Sequence, residues 1–323
     1  MNRRHCVAAL SLAAAMLAPA AWAQASFPSR PVKVVVGFPP GSATDVATRV
    51  VAEAMARRLG QPVIVENRPG AASNIAAKAV ATSPADGYTV FVGTIANAIN
   101  AAFPNSTSVD LTKDFVPVTM IGSVPNVLVA HPSLGVSSVD ELIRAAKAKP
   151  GQIAFASSGN GTSPHLSGEL FASMAGIKLL HVPYKGSTPA VTDLLGGQVQ
   201  MMFSPASSVM QHIRAGKLKA LASTSPKRLA MAPDLPTLDE LGLKGFETSV
   251  WFGFVVPPGT PRDVVSRLES ATHAALDSTE VQEQFRAQGI EVVKSSPEDF
   301  SRYIRDETGK WAKVIQASSI KPE

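Results

Sequence analysis

One unit recurs along this chain and limits what it can fold into: a short apolar run, a loop rich in Gly, Ser, Thr and Pro, then the start of a helical pattern. It occurs where Val32–Phe38 leads into Pro39–Asp45, where Pro62–Glu66 leads into Asn67–Ser73, where Ile153–Ser157 leads into Ser158–Pro164, and where Leu179–Val182 leads into Tyr184–Pro189. Strands that alternate with helices in this way predict an α/β protein with parallel strands and helices on both faces. The first helix is predicted over Asp45–Leu59, where Val46, Val50, Val51, Ala54, Met55 and Leu59 follow a 3.6-residue period and Gly60 supplies the stop. Further helices are predicted at Asn74–Thr82, Val139–Lys149, Pro164–Met174 and Pro189–Leu195, and further strands at Tyr88–Gly93, Val118–Ile121, Asn126–Ala130, Val199–Phe203, Leu218–Ser223 and Trp251–Val256. Thr260-Pro261-Arg262-Asp263 has capping-box spacing for a helix through Leu276. Ser296-Pro297-Glu298-Asp299 has it for a last helix carrying Phe300, Tyr303, Ile304, Trp311 and Ile315 on one core-facing side.

Each of the four loops sets a helix N-terminus at the carboxyl end of a strand. Unpaired peptide N–H groups and the positive end of the helix dipole favour an anion there, and glycine lets the backbone come close to it. Open α/β sheets bind ligands along this edge. Asp45 is read first as a capping partner of Ser42, since a free carboxylate at that point repels an anion. Lys185 could pair with a carboxylate or stay solvated, and Trp251 could wall a cleft or fill a core. The Ser157–Pro164 loop is neither a dinucleotide fingerprint, because Pro164 takes the third glycine position, nor a P-loop, because no Gly-Lys-Ser/Thr follows.

Composition narrows the class further. Arg3 and Arg4, an apolar run from Val7 to about Ala20 and the Ala21-Trp22-Ala23 signal read as a secretory signal peptide over residues 1–23, so export to the periplasm is expected. The single cysteine, Cys6, lies inside that segment, so the mature chain has no disulfide to make. About 300 remaining residues suit two lobes, and the absence of a flexible linker suggests that the chain crosses between them more than once. The crossings are placed near Gly122–Asn126 and Gly245–Trp251. Residues 24–125 and 247–323 would then form a discontinuous first lobe and residues 126–246 a second. The formal charge of +5, two units of it from Arg3 and Arg4, is spread without a Lys/Arg run, so nucleic acid is not expected as a partner. No other stretch is apolar enough to span a bilayer. There is no G-x-S-x-G, H-E-x-x-H or C-x-x-C. The histidines outside the leader, at 131, 165, 181, 212 and 273, lack metal-ligand spacing, so no metal, no cofactor and no catalysis are expected. His165, in the first turn after a glycine loop, is the one histidine with a case for touching ligand; paired with a serine it is also the residue a secreted enzyme would use.

At these loops the chain resembles the substrate-binding receptors of tripartite tricarboxylate transporters, the Bordetella-uptake-gene (Bug) family. The resemblance is carried by FPPG at Phe38–Gly41, ENRPGA at Glu66–Ala71, ADGYT at Ala85–Thr89, SSGNGTSPHLSGE at Ser157–Glu169, HVPYKG at His181–Gly186, DLLGGQV at Asp193–Val199, AGKLKALA at Ala215–Ala222, WFG at Trp251–Gly253 and PPGTP at Pro257–Pro261. It implies a two-lobed periplasmic binding protein of the Venus-flytrap kind, with a sheet flanked by helices in each lobe. It further implies a monomer that holds a small organic acid through backbone amides and hydroxyls and passes it to membrane permease subunits. Carried across residue by residue, the ligand would meet Phe38, Pro40, Gly41, Ser42 and Thr44, with Thr94 and Asn97, from the first lobe. Ser158, Gly159, Gly161, Thr162, Tyr184, Ser204 and Pro205 would face it from the second. Four positions depart from the family pattern: Ser42 where a second glycine is usual, Ala72 and Ser73 where Gly-Gly is frequent, and Ser204 where aspartate is frequent. The ligand could be a di- or tricarboxylate, an amino acid or an aromatic acid, and a sensory receptor of the same fold is the alternative to transport.

Overall fold

A computed structural model describes residues 27–318 apart from 105 and 107; the expected signal peptide lies outside the described residues. Strands β1 (Val32–Val36), β2 (Val63–Asn67) and β3 (Thr89–Thr94) are parallel, with β1 between the other two. The Val-Val-Val end of β1 is buried, as expected of a central strand covered on both faces. Strand β4 (Val116–Ala130) is long, and β9 (Ser249–Val256) lies between it and β3, antiparallel to both. Beyond Pro125, β4 leaves β9 and pairs on either side with β7 (Met201–Pro205) and β8 (Lys219–Ser223), both antiparallel. β7, β5 (Ala154–Ser157) and β6 (Leu180–Pro183) then run parallel. A two-residue strand, β10 (Glu291–Val292), pairs the remaining edge of β4 at Gly122–Ser123.

Two expectations about the strands need correction. The sheets are mixed, because β9 runs antiparallel to β3 and β4, and β4 runs antiparallel to β7 and β8. The predicted break from Gly122 to Pro125 does not occur, and β4 is continuous for 15 residues. Gly122 is used for close approach: a Cβ there would stand 2.9 Å from the carbonyl oxygen of Glu291 in β10. Pro125 falls at the end of the pairing with β9, where β4 changes partners.

The helices occupy the connections: α1 (Ala43–Leu59), α2 (Asn74–Ala81), α3 (Ile95–Ala102), α4 (Val139–Ala148), α5 (Ser163–Ala175), α6 (Ser187–Leu195), α7 (Ala206–Arg214), α8 (Arg262–Leu276), α9 (Thr279–Gln288) and α10 (Pro297–Ser318). The Ser296 cap of α10 forms, with the Asp299 N–H donating to Ser296 Oγ at 3.1 Å. The proposed Thr260 cap of α8 does not, because the Thr260 hydroxyl donates to the Pro257 carbonyl at 2.8 Å, inside the turn that leaves β9. One core unites β1, β3, the β9 centre and one face of β4 with α1 and α8. The second half adds its own around Phe155, Phe171, Phe203 and Phe246. Trp251 fills the core: it is fully buried, meets Phe300 and Tyr303 edge-on, and its Nε1–H donates to Glu307 Oε2 at 3.1 Å. A buried polar knot lies where β4 changes partners. Asn126 Nδ2 donates to Ser163 Oγ at 2.8 Å, and Ser167 Oγ lies 2.7 Å from Thr248 Oγ1.

Candidate ligand-binding cleft

The carboxyl ends of β1, β3, β5, β6 and β7 each feed a helix, and the two halves turn these five N-termini toward one another. A compartment of about 30 Å³ is lined by Ser42, Ala43 and Thr44 at the start of α1, Thr94, Ile95 and Ala96 at α3, Thr162, Ser163 and Pro164 at α5, Ser187 at α6 and Pro205 at α7. Phe38, Ser158 and Val250 complete its wall. Each helix start carries N–H groups that have no partner within the helix and a partial positive charge of about half a unit. The space accommodates a group the size of one or two waters, which suits a carboxylate head and excludes a whole acid. A wider cleft of about 550 Å³ adjoins it, and Phe38 and Ser158 line both. Among the described residues lining the two spaces there is no aspartate or glutamate.

The β1–α1 loop is held by one buried carboxylate. Asp45 Oδ2 accepts the Gly41 N–H at 2.9 Å, Asp45 Oδ1 accepts from Asn67 Nδ2 at 2.8 Å, and Arg49 Nε reaches both oxygens at 3.0 and 3.1 Å. Asn67 Nδ2 also donates to the Phe38 carbonyl at 3.0 Å. Asp45 is therefore turned into its own loop, where it pins Gly41 in a left-handed conformation at φ 78°. Its charge is consumed there, which removes the repulsion expected of a carboxylate at this point. Ser42 Oγ accepts the Asp45 N–H at 3.3 Å, as a helix cap should.

The β5–α5 loop is held by neutral groups. His165 Nδ1 accepts the Gly161 N–H at 3.1 Å, and its ring stacks on His181 at 4.0 Å between centroids. His181 Nε2 lies 2.6 Å from Ser157 Oγ, which accepts the Gly159 N–H at 3.1 Å. Burial, and next the neighbouring His181, push His165 down to about 3; burial alone pushes His181 down to about 4. Both rings are therefore neutral near pH 7. The Ser157–His181 pair has the reach of a nucleophile and its base, yet Ser157 is fully buried and its hydroxyl is engaged with the Gly159 backbone.

Of the residues expected to contact ligand, Phe38, Ser42, Thr44, Thr94, Ser158, Thr162 and Pro205 line the inner compartment. Gly159, Gly161 and Tyr184 line the outer cleft. Pro40, Gly41, Asn97, His165 and Ser204 line neither. Gly41 and His165 shape the loops from behind, and the Asn97 side chain accepts the Thr94 N–H at 3.1 Å while its buried Nδ2 has no partner among the described residues. Ser204 is fully buried, its Oγ 3.5 Å from the Pro205 carbonyl. The sequence reading missed Ser163 and Ser187, although both sit in the loops it singled out, and also Lys78 and Asn100 in the outer cleft, which no local pattern marks.

Residues 47–320 match the family model of the tripartite tricarboxylate transporter family receptor. The chain belongs to that receptor family. It is similar to the protein BugT of Bordetella pertussis, with 40% identity over 298 residues that cover 92% of this chain and 91% of BugT. It is similar to the solved periplasmic binding protein BugD, with 34% identity and a TM-score of 0.88, covering 92% of this chain and all of BugD. An R. palustris protein solved with adipate is similar too, with 37% identity, a TM-score of 0.89, and coverage of 92% of this chain and 100% of that one. As a family receptor, the chain has the periplasmic binding protein fold and is a solute-binding protein, not an enzyme. Among the described residues no helix is long and apolar enough to cross a membrane, and no cluster of side chains is set to hold a metal.

Proposed function

We propose that this receptor captures a small carboxylate in its cleft, in the periplasm, and presents it to the membrane permease subunits of a tripartite transporter. The observation that carries the reading is the convergence of five helix N-termini on one compartment of carboxylate size, free of acidic side chains among the described residues. The similar R. palustris protein was solved with adipate, a dicarboxylate, in agreement with this chemistry. One carboxylate occupies the inner compartment against the α1, α3, α5, α6 and α7 starts, and the rest of the acid passes between Phe38 and Ser158 into the outer cleft. The halves act as lobes that hinge where β4 and β9 cross. Pro39 and Pro40 from the first half meet Gly186 and Thr188 from the second, with Thr188 Oγ1 3.4 Å from the Pro40 carbonyl. The closed form brings all five N-termini onto one anion, so the ligand binds it better than the open form and shifts the population toward closure. Titration calorimetry and thermal unfolding with a panel of organic acids test the reading. Saturable one-to-one binding is expected, with the acid recovered unchanged and about 2.7 kcal/mol of stabilisation at a hundredfold excess over Kd. A chemically altered acid, or a panel in which no acid raises Tm, would refute it.

A further inference from the structure

Resting on that reading, we infer that Lys78 and Lys185 form a second anion subsite at the outer end of the cleft, so that the preferred ligand is an elongated acid charged negatively at both ends. The two lysines are the charged side chains among the described residues that line the outer cleft. They come from opposite halves, Lys78 from α2 and Lys185 from the β6–α6 loop, and neither has an ion-pair partner among the described residues. The nearby carboxylates are committed elsewhere: Asp45 to Arg49, Glu66 to Lys33 and Arg68, and Asp193 to the Tyr184 hydroxyl at 2.7 Å. Two ammonium groups facing one cleft repel each other and raise its positive potential, and an anion between them relieves both effects.

The same wall of the cleft carries a strained turn. Ala71, Ala72 and Ser73 run through three consecutive left-handed conformations, at φ 45°, 45° and 78°, a strained path for residues with side chains. That turn packs Ser73, one of the cleft-lining residues, against Gly37 at the foot of Lys78's helix, where its hydroxyl is fully buried and has no partner among the described residues. A ligand ammonium group would meet no carboxylate here, so an amino-acid terminus is disfavoured at both ends of the site.

The lysines also couple recognition to closure. Only the closed arrangement brings a lysine from each half onto one distal anion, so that anion binds the closed form preferentially. The test compares adipate, hexanoate and 2-aminoadipate by titration calorimetry on the wild-type chain and on Lys78→Gln and Lys185→Gln, with Tm measured for each variant. Both lysines are exposed, and the folded state should tolerate either change. The wild type is expected to prefer adipate to hexanoate by roughly tenfold or more, and each variant to bring that ratio down by about three- to tenfold, as charge-assisted contacts near water do. 2-Aminoadipate should bind more weakly than adipate. A wild-type adipate-to-hexanoate ratio near one, or variants that keep the wild-type ratio, would overturn the subsite while leaving carboxylate capture standing. Binding of no acid at all would remove the capture reading itself.

Discussion

The two halves solve one problem, holding a glycine-bearing loop still at a helix start, with opposite chemistry. In the first, an ionised side chain does it: Asp45 gathers the Gly41 N–H, Asn67 and Arg49. In the second, two stacked neutral imidazoles do it: His165 takes the Gly161 N–H, and His181 holds Ser157, which takes the Gly159 N–H. Under the proposed reading, an anion site built from peptide dipoles needs no charge of its own in the walls of its inner compartment. The charge in the first half is internally neutralised and the second half has none, so the field in the compartment is left to the helix ends. Breaking each support should therefore fail differently.

The largest effect is expected from Asp45→Ala. The residue is 2% exposed, and removal of its carboxylate strips acceptors from the Gly41 N–H, the Asn67 amide and Arg49. Arg49 is half exposed and can turn to water, so the loss should stay below that of a fully buried pair, on the order of 2–3 kcal/mol. Urea unfolding measures it, and a midpoint within error of the wild type would show that the network does not support the loop.

The second half should respond to pH instead. Unfolded histidines take up protons below pH 6.5, whereas folded His165 and His181 stay neutral until about 3 and about 4. The unfolded state thus binds more protons as pH falls from 6.5 toward 3, and stability drops through that window, levelling once both folded rings are protonated. Protonation of His165 at Nδ1 also removes the acceptor of the Gly161 N–H. Glu169, whose carboxylate is 3.9 Å from His165 Nε2, offsets part of the cost, and burial raises its own pKa. A fall in Tm of about 5 °C or more between pH 6.5 and 4 is expected. His165→Gln keeps an acceptor without a titrating ring and should flatten that slope; an unchanged slope would place the pH response elsewhere.

How much of this contrast is visible in the sequence depends on how local its cause is. The strand-loop-helix units, the Ser42 and Ser296 caps and the aromatic face of the last helix are set by neighbours within a few residues, and they were legible. The Asp45 cap was legible as well, because Ser42 lies three residues away; its bonds to Asn67 were not, because they cross from one strand end to the next. His165 and His181 are 16 positions apart on different elements, so their stacking has no local signature. The continuity of β4 was hidden by Gly122 and Pro125, which read as breakers when taken alone. Only the close approach of β10 and the change of partners at Pro125 show why they are tolerated. Lys78 went unnoticed because an exposed helix position carries no pattern until the fold places a cleft beside it.

Contacts between the halves sharpen the comparison further, because they act on closure and leave each loop intact. A Cβ at Gly186 would meet the Pro39 ring at 2.6 Å, and Gly186 holds φ 117°, so Gly186→Ala should prop the halves apart. Affinity for the acid should fall by about tenfold, or about 1.4 kcal/mol, with a smaller change in Tm. Gly161→Ala meets Asn100 Oδ1 at 2.6 Å instead, and an amide at the end of a side chain can swing aside where a proline ring cannot. Position 161 at φ 68° is also milder for alanine than position 186. The expected loss of affinity at 161 is therefore smaller, about two- to threefold. Equal losses at the two positions would mean that neither the clash across the cleft nor the backbone strain sets how far the halves close.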